Sequence, residues 1–221
     1  MIFENYQRQN YPNKELIIVL NNDKMSLEEW RLKAKNYENV QVFQLPESAT
    51  LGECRNFGIQ HAQYDYIANF DDDDYYGPNY LVNAMKIFEY IDADIIGKLT
   101  TYIYFEESKK FGIYLYNREN QYVYNRENQY VRHVPDATII AKKHVFDKVK
   151  FPSITLGVEK VFLRNCLRKG FKLYSGDRFD YVIIRKANKN EHTWQDSDHD
   201  LLKTCKVLAE TSNFTDLVER K

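Results

Sequence analysis

Residues 66–81 read YIANFDDDDYYGPNYL, and the four successive aspartates, Asp71 to Asp74, are the residues best suited to chemistry. Adjacent carboxylates repel one another, so a folded chain that gathers four needs something to neutralise them. On an extended segment alternate side chains share a face, which pairs Asp71 with Asp73 and Asp72 with Asp74. An oxygen pair at that spacing suits a hard cation, Mg²⁺ or Mn²⁺. Mg²⁺ commonly takes one or two protein carboxylates and leaves its other positions to water and substrate phosphates. The spacing therefore predicts a metal–diphosphate site, with Asp71 and Asp73 toward the ion and Asp72 and Asp74 serving the turn and the next helix. The plainer alternative is a solvated acidic loop ahead of a helix at Pro78. Against it, the run ends an apolar stretch and is flanked by tyrosine, glycine and proline rather than by more charge. A helix–loop–helix calcium site is not expected, because the D-x-[DN]-x-[DN]-G run and its distal glutamate are missing.

The surrounding elements place the run at a ligand-binding edge. ELIIVL (15–20) is a continuous apolar stretch ending in Asn21 and Asn22, the pattern of a buried parallel strand. Ser26 with Glu29 and Thr50 with Glu53 have capping-box spacing and predict two helices. VQVFQL (40–45), YDYIANF (64–70) and ADII (93–96) read as strands, and a helix follows Pro78 as a first-turn proline. Alternation of strand and helix predicts an α/β fold with a mostly parallel sheet, helices on both faces, and ligands beyond the C-terminal ends of the strands. Residues 98–134, rich in Tyr, Val and Ile, read as antiparallel hairpins. Within them YNRENQYV occurs twice, at 116–123 and 124–131. An even-numbered duplication keeps each side chain on its face, so it predicts a lengthened hairpin. Residues 137–143 and 179–186 read as strands, 157–170 as an amphipathic helix stopped by Gly170, and the last ~20 residues as one more helix.

Bulk properties exclude several classes. With 221 residues and a net charge of −1, the chain carries no global signal for nucleic acid or an anionic membrane. Three widely spaced cysteines fit neither a disulfide framework nor a zinc site and are expected as reduced thiols. No apolar run reaches the ~20 residues of a membrane span, and MIFENYQRQN lacks the apolar stretch of a signal peptide. The expected location is cytoplasmic, free or peripheral at the inner face of the membrane.

YPNKELIIVLNN, TLGECRNFGI and YDYIANFDDDDYYGPNYL, in that order, resemble the nucleotide-binding half of family 2 glycosyltransferases, which have the GT-A fold, a Rossmann-like sheet with a D-x-D motif. The resemblance runs over roughly residues 3–195. It implies one domain, with a nucleotide-sugar half (1–98), an acceptor and catalytic half (99–195) and a C-terminal helix (196–221). It implies a metal-dependent, inverting transfer from a nucleotide-diphosphate sugar, a UDP-sugar by expectation, to a hydroxyl of a cell-surface polysaccharide, glycan or glycolipid. Asp71 and Asp73 match the D-x-D positions, and the HTW loop adds His192 as a further ligand for Mn²⁺ or Mg²⁺. Gly52, Arg55, Asn56 and Gly58 match the family's RN-G helix, with Arg55 toward the donor. Asn22, Asp71 and Asp72 complete the donor contacts. Gly157-Val158-Glu159 stands where the family has a GED-like motif, which makes Glu159 the general base, although the preceding acid is replaced by Val158. The plainer readings are a helix-surface arginine for Arg55, an exposed loop histidine for His192, and for Glu159 a solvated first-turn glutamate favoured by the helix dipole.

Two departures matter. Asn21 and Asn22 stand where the family has an aspartate pair, and an asparagine carbonyl still accepts a hydrogen bond from uracil N–H. The family's opening strand has no counterpart within residues 1–221, and its loss is expected to expose a sheet edge for a strand from a partner chain to fill. The alternatives are therefore a non-catalytic remnant acting as a binding or assembly module and, more weakly, a nucleotidyltransferase. The basic glycine loop the latter would want near the N-terminus is not visible.

Overall fold

The structure, a computed structural model, describes residues 1–114, 126–187 and 196–220. Helix α1 (Ile2–Arg8) is followed by strand β1 (Leu16–Leu20), α2 (Leu27–Ala34), β2 (Val40–Gln44), α3 (Leu51–His61) and β3 (Tyr66–Ala68). The capping residues do their expected work. Ser26 Oγ accepts from the Glu29 N–H at 3.3 Å. Thr50 and Glu53 form the full reciprocal box, with the Glu53 carboxylate accepting the Thr50 N–H at 2.8 Å. Next come β4 (Tyr75–Tyr76), α4 (Tyr80–Tyr90) and β5 (Ile95–Gly97). Pro78 lies just outside α4, ahead of its N-cap Asn79, rather than at the first helical position.

The second half holds β6 (Thr101–Phe105) and β7 (Lys110–Tyr114), the expected hairpin, then β8 (Gln129–Tyr130) and a 3₁₀ turn over Asp136–Thr138. β9 (Ile140–Lys142), α5 (Val145–Lys148), α6 (Val158–Arg168), β10 (Leu173–Ser175) and β11 (Tyr181–Arg185) follow. The C-terminal segment is not the single helix that its composition predicts. It is α7 (Asp198–Lys203), β12 (Cys205–Glu210) and α8 (Thr215–Val218). Pairing decides this: β12 lies antiparallel on β7, satisfying the outer edge of the hairpin, with a register shift between Val207 and Ala209. Most of the YNRENQYV repeat, and the HTW loop with His192, lie outside the described residues.

Among the described residues three sheets form, in the orders β1-β2, β3-β9-β5-β10-β8 and β12-β7-β6-β11-β4. The fold is α/β as expected, but among the described residues parallel pairing is confined to β1/β2, β5/β10 and β6/β11. β3 is taken up by antiparallel β9. Period-two alternation then places helices on both faces of the middle sheet. Ile95, Ala141 and Leu173 pack toward Phe162, Leu163 and Cys166 of α6. Their neighbours Ile96, Ile140 and Tyr174 pack toward Tyr80 and Ala84 of α4. This two-sided core fixes the strand ends from which the acidic run departs.

The expected open edge is visible as well. Among the described residues β1 pairs with β2 alone and β3 with β9 alone. Four of the five apolar residues of β1 are only half-buried. The starts of β1 and β3 are tied by Glu15, whose carboxylate accepts the Gln63 N–H at 2.6 Å and the Tyr64 N–H at 3.2 Å. Among the described residues no helix is long and apolar enough to cross a membrane.

Candidate active site

The acidic run leaves β3 and enters β4 through a series of bends rather than an extended strand. Side-chain alternation fails there, and the carboxylates group differently from the two-by-two expectation. Asp71, Asp73 and Asp74 each bring an oxygen within 4.8 Å of the others, while Asp72 stays exposed. Asp74 is buried and held from β11: it accepts the Tyr181 hydroxyl and, at 3.1 Å, the Ile184 N–H. It therefore belongs to the cluster rather than to the turn before α4.

Helix α1 supports the run from behind. The fully buried Asn5 donates from Nδ2 to the Asp74 carbonyl at 2.7 Å, and its Oδ1 accepts the Tyr76 N–H at 3.3 Å. Gln9 donates to the Gly77 carbonyl at 2.9 Å. Tyr76, fully buried, accepts the Asp71 N–H at 2.9 Å and donates its hydroxyl to the Ala137 carbonyl at 2.7 Å. The backbone of the acidic loop is thus fixed at both ends by buried hydrogen bonds, each worth more than an exposed one because its loss would strand a polar group.

Arg55 on α3 lies beside the cluster. Its guanidinium donates to the Asp136 carboxylate, stands 3.9 Å from Asp71 Oδ1, and lies over the Phe151 ring at 5.4 Å. Phe151 is pinned in turn by Asn56, which accepts its N–H at 3.0 Å and donates to its carbonyl at 2.8 Å. Gly52 lets the same loop approach α3: a Cβ there would lie 1.8 Å from the Pro152 carbonyl oxygen. The RN-G segment therefore works by geometry. Gly52 and Asn56 seat the 151–154 loop, and that seat holds Arg55 against the acids. Gly58 has ordinary contacts with Ile17 and Val19 and serves only to pack α3 on β1.

Asp136 and Asn69 were not visible as site residues in the sequence. Asn69 donates to Asp136 Oδ1 and to its carbonyl, both at 3.2 Å, which locks the 3₁₀ turn onto the end of β3. The only sequence signal was an aspartate after a proline ahead of a strand, with no spacing relation to the acidic run. Among the described residues neither Asn22 nor Glu159 forms a hydrogen bond or ion pair with the cluster. Asn22 Oδ1 accepts the Lys24 N–H at 2.9 Å, so its carbonyl is committed to a local turn while Nδ2 points elsewhere without a partner among the described residues. Glu159 sits in the first turn of α6, behind Gly157 at φ +69°, half-buried and without a hydrogen bond or ion pair among the described residues.

The charge balance is one-sided. The Asp71 side chain is 41% exposed, yet the protein around it removes much of its solvation. Its carboxyl is pushed up to about 7, first by loss of solvation, then by Asp136, with Arg55 opposing and Asp73 and Asp72 adding to the rise. Burial and the neighbouring Asp71 raise Asp74 well above the usual carboxylate range, against the hydrogen bonds from Tyr181 and Ile184. Both folded values lie above the unfolded ones, so the folded state holds protons that the unfolded chain has released. Conformational stability without metal should accordingly be greatest at acid pH as far as these groups are concerned and decline as pH rises through about 7. Chemical denaturation at pH 5.5 and 8, compared between wild type and Asp71→Asn, reads this: the decline should be smaller in the variant, and equal declines would contradict the charge balance.

Comparison with known proteins bears on this geometry. Residues 2–151 match the model of glycosyl transferase family 2. The fold is similar to residues 1–349 of S. aureus TarS in complex with UDP-GlcNAc, with TM-score 0.64 and 16% identity over 91% of this chain and 59% of that one. It is also similar to the same protein in complex with UDP, with TM-score 0.60 and 17% identity over 82% of this chain and 55% of that one. The chain thus spans little more than half the length of these structures. A comparison with curated proteins gives no significant match. The match to the family model extends through α3, the acidic run and the Asp136 turn, and the chain belongs to glycosyl transferase family 2.

Proposed function

We propose that this glycosyltransferase moves a sugar from a nucleotide-diphosphate donor, a UDP-sugar, to a hydroxyl of a polysaccharide, glycan or glycolipid, with inversion at the anomeric carbon. The observation that carries this reading is the gathering of three carboxylates within 4.8 Å, with Arg55 beside Asp71. Such an excess of negative charge is suited to a hard cation, Mn²⁺ or Mg²⁺. Asp71, Asp73 and Asp74 would hold it, and His192, outside the described residues, would add a ligand. When bound, the cation supplies positive charge to the leaving diphosphate.

The chain's own residues supply the rest. Arg55, fixed by Asp136 and Phe151, presents positive charge to the donor phosphates beside Asp71. Asp72, exposed beside the cluster, is available to the donor's sugar hydroxyls. Asn22 can donate from Nδ2 to a uracil carbonyl, the reverse of the polarity its carbonyl would offer. Glu159 takes the proton of the acceptor hydroxyl as that oxygen bonds to the anomeric carbon and the bond to the diphosphate breaks.

A second reading is favoured by the edges of β1 and β3 that are unpaired among the described residues: a binding or assembly module whose sheet is completed by a strand from a partner chain. Incubation with UDP-sugars, Mn²⁺ and mixed polysaccharide acceptors separates the two. The transferase reading expects acceptor-dependent UDP release. Mn²⁺-dependent UDP binding without any release would overturn it in favour of the module.

A further inference from the structure

The second half of the molecule holds a basic groove whose lining includes none of the residues of the acidic cluster. It encloses about 640 Å³ between α6 and the segment after β8, and is lined by Arg132, His133, Lys160, Arg164, Leu167 and Arg168. Lys160, Arg164 and Arg168 recur every four residues, so they form one stripe along α6, with successive cations about 6 Å apart along the axis. The opposite side of the helix carries Val158, Phe162, Leu163 and Cys166 into the core. A stripe of this kind on a free surface is ordinarily just solvated. Three features set this one apart. Arg132 and His133 close it into a groove. None of Arg132, Lys160, Arg164 and Arg168 has an ion pair or hydrogen-bond partner among the described residues. Finally, like charges one turn apart, and a lysine in the first turn, both act against the helix that carries them.

The groove also leads toward the chemistry. Lys160 directly follows Glu159, and His133 lies three residues before Asp136, the partner of Arg55. The His133 imidazole is held below its ordinary value by burial and by Lys160, with Asp136 opposing, so the same side chain senses the groove and the acidic side. An acceptor laid along α6 would therefore bring one end to Glu159.

We propose that this groove binds the acceptor, and that the acceptor is an anionic chain carrying phosphate or carboxylate groups at roughly the spacing of one helical turn. The proposal rests on the transferase reading for the word acceptor, but the binding itself does not. Arginine forks recognise phosphate and carboxylate with paired hydrogen bonds, which suits an extended anionic chain. A flat lipid surface cannot enter a concave groove in the same way.

The test uses the full chain without divalent cation. Fluorescently labelled oligogalacturonate and inorganic polyphosphate are titrated separately, with neutral dextran as control and phosphatidylglycerol vesicles as a third arm. Binding of either oligomer should weaken with salt, and Arg164→Ala/Arg168→Ala should reduce it about tenfold or more. Both side chains are exposed, so the variant should keep its fold and its UDP affinity with Mn²⁺. Carboxylate or phosphate preference follows from which oligomer binds. Equal affinity of wild type and variant, binding of neither oligomer, or binding to vesicles alone would overturn the proposal. If UDP fails to bind while the oligomer and variant behave as expected, the groove stands and the donor assignment falls.

Discussion

Asp73→Ala should abolish the dependence of UDP binding on Mn²⁺ and lower sugar transfer by about 10³-fold, the several kcal/mol that a catalytic cation contributes. Asp73 is a better probe than its neighbours. Asp74 is buried under Tyr181 and the Ile184 N–H, so its removal would strand partners and unfold the loop as well as empty the site. Asp71 is coupled to Arg55 and Asp136, and changing it moves the charge of all three. Asp73 is half-buried and belongs to the same cluster of oxygens. The expected signature is loss of the Mn²⁺ effect with little change in melting temperature. A variant that keeps both its Mn²⁺ effect and its turnover would remove the cluster from the chemistry.

Glu159→Gln should lower turnover by about 10²-fold or more and leave UDP affinity unchanged, because the amide keeps the shape and hydrogen-bonding reach but cannot take a proton. Glu159 is free to do this work, since no hydrogen bond or ion pair among the described residues engages its carboxylate. Rate measurements at saturating donor decide the matter. Unchanged turnover would return Glu159 to a role at the helix start, where its charge favours the dipole.

The two sites were legible to different depths. The acidic run, the capping boxes at Ser26 and Thr50, and the Arg55 helix could be read because each is a local pattern: neighbours in sequence are neighbours in space. Asp136 could not be read, since it reaches Arg55 across 81 positions through a turn whose docking depends on Asn69. The grouping of Asp74 with Asp71 and Asp73 was missed for a related reason. Alternation presumes an extended chain, and tertiary hydrogen bonds from β11 bend this one. β12 shows the same competition on a larger scale: an open strand edge on β7 outweighed the weak helical pattern of the last residues. The basic stripe on α6 was present in the sequence but unremarkable there. It gains meaning only when Arg132 and His133 close over it.

The measurement closest to the central claim is calorimetric titration of the wild-type chain with UDP, with and without Mn²⁺, at pH 8, where the carboxyl of Asp71, raised to about 7, is ionised. The acidic cluster as a cation-borne diphosphate site predicts saturable UDP binding with Mn²⁺, and weak or no binding without it. UDP binding of equal strength in chelator, or no binding with either Mn²⁺ or Mg²⁺, would contradict it.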